Sequence, residues 1–231
     1  MSVLELDKLT YHYGKYNHQV LKGITAAFEE GQMASIMGRS GAGKTTLLSL
    51  VSGLDTASGG RVLYRGQDVA KLDRDNYRAR SVGLVFQGYN LLTNASALDN
   101  IVLSMQISGV KSSHKKADAL ALLAKLGIDE ETAKRKVLRM SGGEQQRVGI
   151  ARALAHDPDV IIADEPTGNL DEESEQIIME ILTGLAHQEG KCVLVVTHSQ
   201  AVANYADQVW RLRDGKLEGK KRPPKVSVVQ G

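Results

Sequence analysis

The sequence predicts an α/β fold with a mainly parallel sheet, an antiparallel β part at the N-terminus and an inserted helical lobe. Three observations predict it. Short apolar runs alternate with segments of helical apolar spacing, the order expected of a sheet covered on both faces. One run, 33–37, stops at a glycine cluster, Gly38-Arg39-Ser40-Gly41-Ala42-Gly43-Lys44-Thr45, which opens a helical segment. Another, Val160-Ile161-Ile162-Ala163, ends in two carboxylates, Asp164 and Glu165.

In chain order, 3–9 roughly alternates apolar and polar residues (Val3, Leu4, Leu6, Leu9) and predicts a strand. Residues 21–28 predict another, closed by Glu29-Glu30-Gly31, and 33–37 a buried strand. Leu47, Leu48, Leu50, Val51 and Leu54 give 45–54 a helical period, and 62–64 and 82–86 read as strands. From about 88 to 140 the character changes. Residues 98–107 and 117–126 have helical spacing around a polar 111–116 loop, which sets a helical lobe between core segments 1–87 and 141–219. Helices over 145–154 and 174–185, strands over 160–163 and 192–197, and a closing hairpin at Asp214-Gly215 complete a single domain, 1–219. Residues 220–231 begin Lys220-Lys221-Arg222-Pro223-Pro224-Lys225 and read as a basic terminal tail.

Composition excludes several classes. The net charge of +2, from 29 basic and 27 acidic residues, is too small for a nucleic-acid binder working by bulk charge. Aromatics at 4% argue against a base-stacking surface, so no nucleic-acid partner is expected. The single cysteine, Cys192, allows no internal disulfide. No stretch approaches the roughly 20 apolar residues of a membrane span, and the acidic, alternating start is wrong for a signal peptide. A cytoplasmic location is expected, with any membrane part on another chain. Glycine is the outlier, with 23 residues in clusters.

The cluster at 38–45 matches the P-loop pattern in full, between an apolar strand and a helix. Its glycines let consecutive backbone N–H groups and the helix N-terminus gather phosphate oxygens. Lys44 is placed for the β and γ phosphates and Thr45 for Mg²⁺. The pattern announces a nucleoside triphosphate without choosing among kinases, GTPases, helicases and transport motors. At the second strand end, Asp164 is expected to hold Mg²⁺. Glu165, facing the other way from the strand, is expected to polarise the attacking water as general base. Ser141-Gly142-Gly143-Glu144-Gln145 reads as a capped helix start with exposed N–H groups, a second anion site in one small domain.

The order P-loop, Gln87, Ser141-Gly142-Gly143-Glu144-Gln145, Asp164-Glu165, His198 resembles the ATP-binding-cassette (ABC) ATPases over 4–217, nearly the whole chain. The resemblance implies ATP and Mg²⁺ as cofactors and a set of site residues. Tyr13, with Tyr11 as fallback, stacks on adenine and Val20 packs by the ribose. Gly38, Arg39, Ser40, Gly41, Ala42, Gly43, Lys44, Thr45 and Thr46 hold the phosphates. Gln87 touches Mg²⁺ and the attacking water and marks the hinge to the lobe. His198 contacts the γ-phosphate, and Asp171 links two sites. Ser141, Gly142, Gly143 and Glu144 bind ATP held by a second copy, so the chain homodimerises head to tail. A separate membrane permease docks on the lobe at Tyr89, Leu91, Leu92 and Leu98, leaving the chain peripheral on the cytoplasmic face. Asp164-Glu165-Pro166-Thr167-Gly168-Asn169-Leu170-Asp171 resembles a bacterial subgroup serving lipoprotein release, macrolide and antimicrobial-peptide efflux, and haem export. An importer ATPase, or a soluble ABC ATPase uncoupled from transport, is the alternative. Met140 stands where leucine is usual, and 137–139 lacks a proline frequent in this group.

Overall fold

The computed structural model describes residues 2–14 and 18–221. Strand β1 (Ser2–Tyr13) pairs antiparallel with β2 (His18–Glu29), and Val3, Leu4, Leu6 and Leu9 are buried. β1 outruns its alternating stretch because its last residues, Tyr11 to Tyr13, leave the core yet keep pairing with β2. β3 (Met33–Met37) leads through the glycine loop into α1 (Lys44–Val51). β4 (Gly59–Tyr64) returns beside β1, and β5 (Gln67–Asp68) hairpins onto it. α2 (Arg74–Arg80) precedes β6 (Val82–Phe86). No apolar period announces α2, since only Tyr77 is buried in it; the Asp73 carboxylate starts it by accepting from the Asp75 and Asn76 N–H groups.

The lobe contains α3 (Ala97–Ile107), α4 (Lys115–Lys125) and α5 (Glu130–Ala133). A 3₁₀ turn, Val137–Arg139, then delivers the chain to α6 (Gly142–Leu154). β7 (Val160–Asp164), α7 (Glu172–His187), β8 (Cys192–Thr197), α8 (Gln200–Ala203), β9 (Gln208–Arg213) and β10 (Lys216–Lys221) follow. β10 continues the ladder through Lys221, opposite Gln208, two residues into the expected tail. Arg222, Pro223, Pro224 and Lys225 lie outside the described residues.

Two sheets result, ordered β2-β1-β4-β5 and β10-β9-β3-β8-β7-β6. The second is parallel except for the β9–β10 hairpin. β8 is buried throughout, and its alternate residues enter different cores. Leu194 and Val196 join α1 and the antiparallel sheet; Val193 and Val195 join α6, α7 and the lobe. The lobe's Ile101, Met105 and Leu123 belong to that second cluster, so its apolar face continues the core of the domain. Register aligns the carboxyl ends: Met37 lies opposite Thr197, Val196 opposite Asp164, and Asp164 opposite Phe86. The loops after β3, β6, β7 and β8 therefore leave from one edge, where α/β sheets place ligands.

Candidate functional site

The glycine loop is wedged between β2 and β9. Gly43, at φ 99°, caps α1, and a Cβ there would come within 2.9 Å of Val20 Cγ1. A Cβ on Gly38 would lie 2.9 Å from the Leu212 carbonyl oxygen, so both positions need glycine. The Lys44 ammonium folds back over the loop, donating to the Gly38 carbonyl at 2.7 Å and the Arg39 carbonyl at 3.4 Å. It also lies 3.9 Å from Glu165 Oε1.

Glu165 is not a strand residue facing away from Asp164, as expected from alternation. β7 ends at Asp164, and Glu165 turns in a left-handed conformation, φ 46°. The turn, held by the Glu165 N–H bonding to Val196 O at 2.8 Å, carries its carboxylate toward the end of β8. There Oε1 accepts from His198 Nδ1 at 2.8 Å, and Oε2 accepts from Thr197 Oγ1 at 3.1 Å and the His198 N–H at 3.3 Å. The His198 ring stays largely exposed, with its other nitrogen free to project. Asp164 is half-buried. Its pKa is raised, first by burial, then by the neighbouring Glu165 charge, with Lys44 opposing.

A cleft of about 900 Å³ opens beside the loop, lined by Val20, 38–42, His198, Arg211, Leu212 and Arg213 among others. It brings together the first part of the glycine loop, Val20 and His198. Tyr13 stands outside its lining, exposed, with its hydroxyl 3.0 Å from Thr46 Oγ1 and Tyr11 edge-on at 4.9 Å. Thr46 is thus buried and paired with Tyr13 rather than open at the loop mouth, unlike the exposed Thr45. Tyr11 is tied to Asp55, which pushes its pKa up to about 12. Gln87 follows β6 and donates to Asn169 Oδ1 at 3.3 Å; a Cβ on Gly168 would come within 2.8 Å of its amide.

Ser141, Gly142, Gly143 and Glu144 do not line this cleft, and neither do Gly43, Lys44, Thr45, Gln87, Asp164 or Glu165. Ser141 caps α6 with a complete capping box. Its Oγ accepts from the Glu144 N–H at 3.2 Å, and Glu144 Oε2 accepts from the Ser141 N–H at 2.7 Å. One oxygen of the Glu144 carboxylate thus caps its own helix, a role beside the expected nucleotide contact. Asp171 likewise caps α7, accepting from the Ser174 N–H at 2.8 Å, which holds its carboxyl below the ordinary range. Gly143 packs on that start: a Cβ would lie 2.7 Å from Ser174 Oγ.

Of the four lobe residues expected to meet a permease, only Leu92 is well exposed. Leu91 and Leu98 are half-buried against the lobe core, and Tyr89, also half-buried, lies along α6. Leu138 is bare instead, and its N–H bonds to the Thr93 carbonyl at 3.1 Å, which brings it beside Leu92. Sequence reasoning missed Thr197, whose hydroxyl fixes Glu165, and Arg211 and Arg213, which reach the cleft because β9 neighbours β3. Thr197 had a local signal, its place beside His198 at a strand end; the two arginines had none.

Comparison with known proteins agrees with this geometry. The family model described as ABC transporter matches residues 21–168. The uncharacterized ABC transporter ATP-binding protein YclH of Bacillus subtilis is 44% identical over 99% of this chain and 100% of its own length. The lipoprotein-releasing system ATP-binding protein LolD of Hyphomonas neptunium is 41% identical over 94% of this chain and 96% of its own. The dimeric structure of the ABC transporter cassette MJ0796 matches with a TM-score of 0.86 and 36% identity, covering 95% of this chain and 99% of that one. The same cassette is known as a dimer in a post-hydrolysis state bound to ADP and Pi. No helix among the described residues is long and apolar enough to cross a membrane. With family, nucleotide loop and fold in agreement, the chain belongs to the ABC transporter family as an ATP-hydrolysing, ATP-binding cassette.

Proposed function

We propose that this cassette is the motor of an export or mechanical-transmission system, closing head to tail with a second copy around ATP and driving a separate permease. One observation carries the reading: the chain presents two separate helix starts suited to phosphate, α1 behind the glycine loop and α6 behind Ser141. A site split in this way is completed by a second copy. The dimeric cassette MJ0796 supports it. Kinship with LolD, a lipoprotein-releasing ATPase, supports a lean to export, and the cargo belongs to the permease.

In this reading the loop amides and Lys44 hold the phosphates, Val20 packs beside the ribose and Tyr13 offers its exposed ring to adenine. The Thr45 hydroxyl, the Asp164 carboxylate and the Gln87 amide oxygen would hold Mg²⁺. The donor set fits, since all three are hard oxygen donors. A single carboxylate with phosphate oxygens is the usual magnesium arrangement. The half-buried Asp164, lifted in pKa by burial and by Glu165, is a carboxylate that a divalent cation would relieve. Bound there, the ion would neutralise developing phosphate charge. Glu165 takes a proton from the attacking water, whose oxygen bonds to the γ-phosphorus as the bond to the ADP oxygen breaks. His198, steadied through Nδ1 by Glu165, presents its other nitrogen to the γ-phosphate. Loss of that phosphate removes the contacts of His198 and of the partner's Ser141 helix, and the dimer reopens.

We assign the permease contact to exposed apolar side chains of the lobe, Leu92 and Leu138, with Leu103 and Ile107 also exposed on α3. The lobe, about 88–140, is the part that moves with the permease, and 1–87 with 141–219 the part that hydrolyses. The deciding experiment is Glu165→Gln with ATP. Turnover is expected to fall at least about 100-fold from loss of the general base, with an ATP-dependent dimer accumulating in light scattering. Near-wild-type turnover, or a monomer at saturating ATP, would overturn the reading.

A further inference from the structure

α6 carries glycines at 142 and 149, flanking Gln146 on one face. Gln146 is completely buried, and neither its amide nitrogen nor its amide oxygen has a hydrogen-bond partner among the described residues. Folded proteins keep few such groups, because each has surrendered its water for nothing. Tyr89 covers it. The Tyr89 phenol oxygen would lie 3.0 Å from a Cβ on Gly142, and its carbonyl oxygen 3.7 Å from a Cβ on Gly149. The tyrosine therefore lies lengthwise over the helix face that Gln146 occupies, in a groove that the two glycines leave.

Tyr89 is two residues beyond Gln87. It and Asn90 are both left-handed, at φ 59° and 50°, an uncommon choice for a bulky residue. Few bonds fix this segment: Tyr89 N–H to Phe86 O at 3.2 Å, Asn90 N–H to Gly88 O at 2.6 Å, and the half-buried Arg152 guanidinium to the Asn90 carbonyl. A strained segment thus lies over an amide that could bond to its backbone, and relaxing the first would satisfy the second.

We propose that Gln146 is a positioning residue: its amide pairs with the Tyr89–Asn90 backbone in a second arrangement of residues 87–91, the one adopted when ATP is engaged. Leaving the left-handed arrangement frees the backbone to meet Gln146. The Tyr89 ring, lying against Gly142, then carries the shift to the start of α6, where Ser141 stands. Gln146 thereby joins the glutamine after β6 to the second anion site within one chain. Naming ATP as the selector rests on the function proposed above.

The test is Gln146→Leu, with Gln146→Met as a second apolar variant of matching length, in the full chain. Three quantities are read: melting temperature, steady-state ATP turnover, and amide hydrogen exchange of 88–91 with and without ATP. Both variants should melt at or above the wild-type temperature, since an unpaired buried amide is gone. Their kcat should fall several-fold with KM for ATP within about twofold, and ATP should no longer slow exchange at 88–91. Wild-type kcat and wild-type ATP-induced protection in the variants would overturn the proposal. So would lowered melting with protection retained, the mark of a merely structural glutamine. If the wild type binds ATP without hydrolysing it, the function proposed above fails, while Gln146-dependent protection at 88–91 still decides this one.

Discussion

Glu165 shows how one residue's backbone sets its chemistry. Its left-handed turn costs on the order of 1 kcal/mol, offset by the bonds that Thr197 and His198 make to the carboxylate. Strand alternation assigned it a different job from Asp164 for the wrong geometric reason; the turn, not the pleat, separates them. Asp164 supports a prediction of its own. Its folded pKa lies above the unfolded value, so between the two the native state binds more protons and stability falls as pH rises through that window. Ionised Asp164 therefore burdens the nucleotide-free fold at neutral pH, by an amount that its partial exposure reduces. Asp164→Asn is expected to raise Tm at pH 7 by about 1–3 °C and to lose Mg²⁺-dependent turnover. The stability gain should vanish as pH drops below the carboxylate range. Calorimetry from pH 3 to pH 8 checks the sign; a gain that grows on acidification would refute it.

At the scale of elements, helix starts do two kinds of work. α1 begins on a glycine with no side-chain cap, which leaves its N–H groups for a ligand. α6 begins with a full capping box, so Ser141 and Glu144 first satisfy the helix itself. The two duties of Ser141 can be separated. Ser141→Ala removes the cap, worth about 1 kcal/mol, and should lower Tm by about 2–4 °C. Ser141→Asp keeps a good cap and should hold Tm within about 1 °C, yet sets a negative charge against phosphate. Turnover should then drop at least about tenfold, the equivalent of one lost charge-assisted bond. Unchanged turnover in Ser141→Asp would remove Ser141 from the phosphate site. The elements legible in sequence were those with apolar period or a glycine signature, such as β3, α1, β7 and β8. α2 and α8 escaped because they are short and held by the caps Asp73 and Ser199 rather than by an apolar stripe.

At the scale of the molecule, a site divided between two surfaces predicts complementation. A Lys44→Ala chain lacks the first anion site and a Ser141→Arg chain the second. Mixed dimers of the two contain one position with an intact loop from one chain and an intact Ser141 helix from the other. Each variant alone should be inactive, and the mixture should recover ATP turnover that rises and then falls with their ratio. A mixture as inactive as its parts would confine the site to one chain.

The sequence by itself determined the nucleotide loop, the acidic strand end, the capped helix at Ser141 and the parallel core, because each is a local pattern read along consecutive residues. The tertiary structure alone decided the rest. Strand order set β9 beside β3, which brought Arg211 and Arg213 to the cleft. The register of β7 against β8 joined Glu165 to Thr197 and His198 across more than thirty residues of chain. Packing of the lobe half-covered Leu91 and Leu98, left Leu92 and Leu138 bare, and laid Tyr89 over an unpaired glutamine. Contacts between residues far apart in sequence carry no local period, so only the closed core, which fixes every face at once, could place them.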